Sequence, residues 1–141
     1  MNQFEKEYKY TCSIELFGNI EEALRTYLDK DQFKYWHEGL AEIEEVSDNK
    51  YNMIYEFDNR RMAMGVEMVE FDPPHYAKTI YTMPKVWNLC IDKFEEKDGK
   101  ILWTMDVVFR FEEEQHLLID AFIRKTFAVM NVFKYYFENK M

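Results

Sequence analysis

The chain has 141 residues, of which 48% are hydrophobic and 32% are charged, and its net charge is −9. This length and composition predict one soluble globular domain over residues 1–141, with enough apolar surface to build a sizeable core. The acidic balance disfavours phosphate backbones and anionic lipid surfaces as partners because like charges repel, so we expect no nucleic acid partner.

The N-terminal sequence and the two cysteines indicate a cytoplasmic protein. The opening residues MNQFEKEYKY contain no apolar signal-peptide core, and no stretch approaches the roughly 18 apolar residues of a membrane span. Cys12 and Cys90 stand alone, without the paired spacing of a metal site, and are predicted as buried thiols in a reducing compartment. We therefore expect no membrane span, no metal and no cofactor.

The first part of the chain predicts a strand followed by two short helices. Residues 8–17 alternate between apolar and polar side chains, which is typical of a half-buried strand. Asn19 is placed to cap a helix whose apolar residues recur at helical spacing. Asp31 is placed to cap a second helix that ends at Gly39. Near that end, His37 is predicted to occupy a solvated capping position.

Six more strands and one long helix complete the predicted order. Asp98 and Gly99 form the strongest hairpin signal, and residues 113–140 predict one helix with an apolar stripe. One helix cannot cover a flat sheet, so we expect an α+β fold in which a curved seven-stranded antiparallel sheet wraps around the helix. The six strands are predicted at residues 40–47, 50–57, 60–71, 76–83, 86–96 and 100–111.

The predicted apolar interior lies between the concave face of the sheet and the terminal helix. An aromatic content of 18% and nine methionines suit either a thick core or the wall of a cavity, and the sequence leaves both readings open. A one-residue bulge would invert the strand alternation locally. Strand alternation and the helix stripe predict ten ligand-binding residues: Tyr10, Tyr55, Met64, Tyr81, Trp87, Trp103, Met105, Phe122, Phe127 and Met130.

Polar residues give no catalytic assignment. The sequence has no nucleophile motif, phosphate-binding loop or metal-ligand cluster. His75 is the best acid/base candidate because an unperturbed imidazole titrates near neutral pH, but its place after Pro73 and Pro74 favours a surface loop. The hydroxyl groups of the tyrosines on the inner face are predicted at most to orient a ligand.

Three segments together resemble the START-like superfamily, also called SRPBCC, and within it the polyketide cyclase/dehydrase-like branch. They are GNIEEALRTYLDKDQFKYWHEGLAEIEEV at 18–46, EFDPPHYAKTIYT at 70–82 and FEEKDGKILWTMDVVFRF at 94–111. The resemblance covers nearly the whole chain and rests on pattern rather than on an invariant motif. It implies a helix-grip fold with an apolar cavity that holds lipids, polyketides or hormones. It carries over no catalytic residue, because the family shares none.

The leading expectation is a binding module that encloses a small hydrophobic ligand, such as a lipid or a polyketide-like aromatic molecule. One alternative is a cyclase/aromatase-type enzyme acting on a polyketide-like substrate. Another is a protein-interaction or stress-response module with a filled core. Edge strands need cover, which is compatible with a homodimer, but no sequence feature specifies one.

Overall fold

A computed structural model describes residues 6–112 and 119–140 of the chain. Each predicted strand boundary lies within two residues of the observed one, whereas residues 113–118, the predicted start of the long helix, lie outside the described residues. The elements in chain order are β1 (Lys6–Leu16), α1 (Ile20–Tyr27), a 3₁₀ helix (Lys30–Tyr35), β2 (Leu40–Ser47), β3 (Lys50–Phe57), β4 (Arg60–Asp72), β5 (Tyr76–Met83), β6 (Val86–Lys97), β7 (Lys100–Phe111) and α2 (Ile119–Asn139).

The seven strands form one sheet in the order β1-β7-β6-β5-β4-β3-β2, and every neighbouring pair is antiparallel. Strands β2 to β7 follow one another as hairpins, and β1 joins the far edge beside β7. The two short helices follow β1. They and α2 pack on one face of the sheet, where their buried side chains join one core. This arrangement confirms the predicted α+β helix-grip fold.

The two short helices begin at side chains that accept hydrogen bonds from the first turn. Asn19 Oδ1 accepts the backbone N–H of Glu21 at 2.8 Å, as predicted for the cap of α1. The second helix is capped by Asp29 rather than by Asp31, because Asp29 Oδ1 accepts the backbone N–H of Asp31 at 3.0 Å. The helix therefore starts two residues earlier than predicted, and Asp31 lies in its first turn.

One half of the inner face is a filled aromatic core. Phe133 on α2 and Trp103 on β7 have no exposed surface, and their ring centroids lie 5.5 Å apart. Phe94 stacks on Trp103 at 5.3 Å, and Tyr27 of α1 contacts Phe133 edge-on at 5.2 Å. These contacts fix the C-terminal half of α2 to the sheet through close packing of large rings.

Strand β6 corrects the predicted position of Trp87. Its neighbour Asn88 is buried on the inner face, and successive side chains of a strand point to opposite faces, so Trp87 lies on the outer face. There Trp87 is paired with Arg110, whose guanidinium carbon lies 4.5 Å from the indole centroid. The sequence analysis named Trp87 as a ligand-binding residue. The pairing with β7 instead turns Asn88, Cys90 and Asp92 inward.

Candidate ligand-binding cavity

A cavity of about 290 Å³ lies between the sheet, the 3₁₀ helix and the N-terminal half of α2. Its volume is at the lower end of the roughly 300–1,000 Å³ that ligand pockets span, and its wall is mostly aromatic rings and methionine side chains. The cavity is therefore suited to a compact apolar molecule. The lining residues are Tyr27, Leu28, Phe33, Trp36, His37, Tyr51, Met53, Tyr55, Met64, Tyr81, Asn88, Cys90, Met105, Phe109, Phe122, Lys125, Thr126 and Val129.

Five of the ten predicted ligand-binding residues line this cavity. Tyr55 and Met64 come from β3 and β4, Tyr81 from β5, Met105 from β7 and Phe122 from α2. Five different elements thus bring side chains together that are far apart in sequence. Strand alternation and the helix stripe were sufficient to select them.

Tyr10, another predicted ligand-binding residue, does not line the cavity but connects β1 to α2 through hydrogen bonds. Its hydroxyl group and the hydroxyl of Thr126 are 2.8 Å apart, and it also donates to the Phe122 carbonyl oxygen at 3.3 Å. These bonds join β1 to α2 directly beside the cavity. Tyr10 therefore holds the helix that covers the cavity, while Thr126 and Phe122 form part of the wall.

Trp103, Phe127 and Met130 belong to the packed core rather than to the cavity wall. Trp103 and Met130 have no exposed surface, and Phe127 packs against the same cluster of buried residues. Alternation predicts which face of a strand or helix is buried, but it does not say how far along that face a cavity begins. The distinction between wall and core therefore depends on the three-dimensional arrangement.

His37 lies in the cavity wall, which corrects its predicted place at a solvated helix end. Its backbone N–H donates to the Phe33 carbonyl oxygen at 2.8 Å, just beyond the 3₁₀ helix, and this turns the imidazole inward. The ring lies 4.0 Å from the Trp36 ring and 4.6 Å from the Phe33 ring, measured between centroids. Its Nδ1 atom is 3.0 Å from the Tyr55 hydroxyl oxygen. One signal in the sequence was available, namely the position of His37 directly after a large aromatic residue.

Four titratable side chains of the wall, those of His37, Tyr55, Tyr81 and Cys90, are uncharged at neutral pH. Burial lowers the pKa of His37 to about 4, because the imidazolium ion loses its hydration among aromatic rings. Burial raises the pKa of Tyr55 to about 12 and raises the pKa of Tyr81 well above its usual value. Burial also raises the pKa of the Cys90 thiol, which keeps it protonated and unsuited to nucleophilic attack. These groups therefore offer hydrogen bonds without formal charges.

Comparisons with known proteins identify the fold. No family model and no curated protein matches the chain. Among solved structures, Ara h 8.0201 superposes with a TM-score of 0.79 at 10% sequence identity, covering 93% of this chain and 97% of the other. A conserved protein from Geobacillus kaustophilus gives 0.73 at 15% identity, with 89% and 90% covered. DynU16, from the dynemicin biosynthetic locus, gives 0.69 at 9% identity, with 94% and 48% covered. The chain has the START-like, or SRPBCC-type, fold.

At these identities the likeness establishes the START-like fold alone, so any function has to be argued from the site. In the described ranges, no group of three or more His, Cys, Asp and Glu side chains is arranged to hold a metal ion. Within the same ranges, neither α-helix has the length and apolar content that a membrane-crossing helix needs.

Two further polar residues lie outside the cavity wall. His75 is exposed in the turn before β5, as predicted, and its Nδ1 atom is bonded to the Phe94 carbonyl oxygen at 2.8 Å. Asp92 is fully buried on the inner face of β6, where its Oδ1 atom accepts the Trp103 indole N–H at 2.8 Å. The other oxygen, Oδ2, has no hydrogen-bond partner in the described part of the chain. The sequence analysis did not single out Asp92.

Proposed function

We propose that this START-like domain binds a small hydrophobic ligand in the cavity between its sheet and α2. The observation that carries the proposal is the mostly apolar cavity of about 290 Å³, bounded mainly by aromatic and methionine side chains. Binding would be driven mainly by burial of apolar ligand surface, which contributes roughly 25 cal/mol per Å² before ordering costs.

The size and chemistry of the cavity narrow the class of ligand. The volume suits a compact aromatic or polyketide-like molecule, or a short acyl chain, better than a diacyl lipid. An aromatic ligand gains further from edge-on and offset contacts with the rings of Phe33, Trp36 and Phe109 in the wall. Methionines such as Met53 and Met105 add side chains that adapt to irregular shapes.

Native mass spectrometry of the freshly purified protein, compared with the denatured chain, tests the proposal. A bound ligand appears as extra mass that disappears on denaturation, and it identifies the chemical class of the ligand. A bare protein that also shows no thermal shift with fatty acids, flavonoids or naphthols would contradict the proposal. The interaction-module alternative would then be favoured.

A substitution at the rim of the cavity tests where the ligand binds. Val129 on α2 is 47% exposed and lines the cavity, so Val129→Trp places an indole over its opening with little disturbance of the core. We expect this variant to lose the bound mass and at least 10-fold in affinity for an uncharged naphthalene-based fluorescent dye, measured by fluorescence titration.

Val132→Trp is the matched control. Val132 is on the same helix and is 49% exposed, but it faces an outer groove and does not line the cavity. Its tryptophan variant should bind the ligand and the dye like the wild type. Equal losses in the two variants would place binding outside the cavity.

One observation favours a second candidate, a cyclase/aromatase-type enzyme acting on a polyketide-like substrate. His37 and Tyr55 together place a neutral base and a protonated hydroxyl group in the cavity, 3.0 Å apart. Incubation with a linear poly-β-ketone thioester, followed by mass spectrometry, tests it through the appearance of a cyclised, dehydrated product. A rate that is unchanged by His37→Gln would remove this candidate.

A further inference from the structure

The hydrogen-bonded pair formed by His37 and Tyr55 is a fixed polar feature in an otherwise mainly apolar wall. His37 belongs to the segment after the 3₁₀ helix and Tyr55 to β3, and both line the cavity. The rings of Trp36 and Phe33 hold the imidazole from its own segment. Phe57 stacks on Tyr55, with the two ring planes 9° apart. Both polar groups are therefore held in place before any ligand arrives.

The pair retains one donor and one acceptor whichever way its internal hydrogen bond runs. If the Tyr55 hydroxyl donates to Nδ1, the His37 Nε2–H remains a donor and the hydroxyl oxygen accepts. If the Nδ1–H donates, the Tyr55 O–H remains a donor and Nε2 accepts. No protein group in the described ranges bonds to Nε2, and the other contact of the hydroxyl is Met53 Sδ, a weak acceptor at 3.8 Å.

Two other polar residues of the wall, Asn88 and Thr126, already form hydrogen bonds within the protein, whereas the Trp36 indole N–H is buried without a hydrogen-bond partner in the described ranges. Asn88 Nδ2 donates to the Val108 carbonyl oxygen at 3.0 Å, and its Oδ1 atom is 3.5 Å from the Cys90 thiol. The Thr126 hydroxyl bonds to Phe122 and to Tyr10. Tyr51 and Tyr81 also line the cavity. Neither hydroxyl group is oriented by a hydrogen bond to another side chain in the described segments.

We propose that the His37–Tyr55 pair is the polar recognition site of the cavity and selects an uncharged aromatic ligand with a phenol or ketone oxygen. This inference rests on the proposed function and specifies its ligand. A phenol can donate to the pair and accept from it, so it satisfies both free positions without placing a charge among apolar side chains. A carboxylate would lose its hydration there without a cation at the pair. Lys125, the cationic residue of the lining, lies on α2.

Calorimetric titration with three ligands of one shape tests this assignment. The probes are 2-naphthol, naphthalene and 2-naphthoate, which share a ring system and differ in the polar group. We expect the wild type to bind 2-naphthol roughly 3- to 10-fold more tightly than naphthalene, the range for one net hydrogen bond. Tyr55→Phe should abolish this preference, because it removes the hydroxyl group and keeps the ring.

Tyr136→Phe provides the matched control. It also removes a hydrogen-bonded tyrosine hydroxyl, here one that donates to Gln32 Oε1 at 2.8 Å outside the cavity, and it should keep the preference for 2-naphthol. If Tyr55→Phe does not fold, as judged by its thermal transition, His37→Gln replaces it, with the same loss of preference expected.

Each result separates the assignment from the proposed function. A preference for 2-naphthol that survives Tyr55→Phe, or that disappears with Tyr51→Phe instead, would overturn the role of the pair while binding in the cavity stands. Tightest binding of 2-naphthoate would overturn it too and would point to Lys125. Failure of the wild type to bind any of the three probes would overturn both the assignment and the proposed function.

Discussion

Asp92 carries a fully buried carboxyl group, and its environment makes stability depend on pH. Burial raises its pKa to about 7, and the hydrogen bond from the Trp103 indole N–H opposes this rise only in part. In the unfolded chain an aspartate titrates near 4. The native state therefore holds a proton that the unfolded state releases between about pH 4 and pH 7. The resulting stability is fully present below about pH 4 and is lost as the pH rises through 7.

Asp92→Asn tests this protonation. The amide keeps an oxygen that can accept the Trp103 N–H, but it cannot ionise. We expect the free energy of unfolding of the variant, relative to the wild type, to increase between pH 5 and pH 8 by more than about 1 kcal/mol, since one pKa unit corresponds to about 1.4 kcal/mol. Urea titrations at the two pH values measure it. Asp48→Asn, at an exposed position, is the control, and the same increase there would contradict the prediction.

At the scale of elements, the connection from the 3₁₀ helix to β2 sets the position of His37. Gly39 has a φ of +80°, a backbone conformation that suits glycine, and its carbonyl oxygen accepts the Glu56 N–H at 2.8 Å. A Cβ atom on Gly39 would overlap the Phe57 ring. The turn is therefore fixed both by its backbone and by its contact with β3.

Gly39→Ala should destabilise the fold more than the same change at Gly99. Both glycines have positive φ, +80° and +79°, so both variants carry a strain of roughly 1 kcal/mol. A methyl group on Gly99 would have no heavy atom within 4 Å in the described part of the chain, whereas one on Gly39 meets Phe57. We expect an additional loss of about 1 kcal/mol or more for Gly39→Ala in chemical denaturation. Equal losses would show that the Phe57 ring moves aside freely.

The elements also show what the sequence could predict. The strand boundaries followed from alternation and turn residues, because both signals are local. The inner face of β6 did not, because Asn88 and Asp92 face inward through pairing with β7 and bonds to Val108 and Trp103. The inward turn of His37 was missed for a similar reason, since it depends on contacts with Tyr55 across the cavity. Long-range register and polar partners are not encoded in a local hydrophobic pattern.

At the scale of the whole molecule, the two halves of α2 have different structural roles. Its C-terminal half, with Met130, Phe133 and Phe137, completes the core, whereas Phe122, Thr126 and Val129 cover the cavity. The choice between a filled and a hollow interior, which the sequence left open, is therefore resolved by position along one helix. The limits of the domain, the cytoplasmic location and a homodimer stay predictions.

Hydrogen exchange should be slower in the buried strand β7 than in the edge strand β2. β7 lies between β1 and β6, with Ile101, Trp103 and Met105 buried, whereas β2 is an edge strand with mostly exposed side chains. We expect peptides from residues 100–111 to exchange most slowly and those from 40–47 fastest among the strands, measured by mass spectrometry. Protection of 40–47 equal to that of 100–111 would contradict this and would indicate that a second copy covers the edge.

The three tryptophans occupy three different environments, so intrinsic tryptophan fluorescence can report on ligand binding. Trp36 lies in the cavity wall, Trp103 is enclosed in the aromatic core, and Trp87 lies on the outer face beside Arg110. A ligand that accepts excitation energy or an electron from indole would dim the emission of Trp36 first. Fluorescence from a variant that retains Trp36 alone would then follow occupancy of the cavity in real time, without any attached dye.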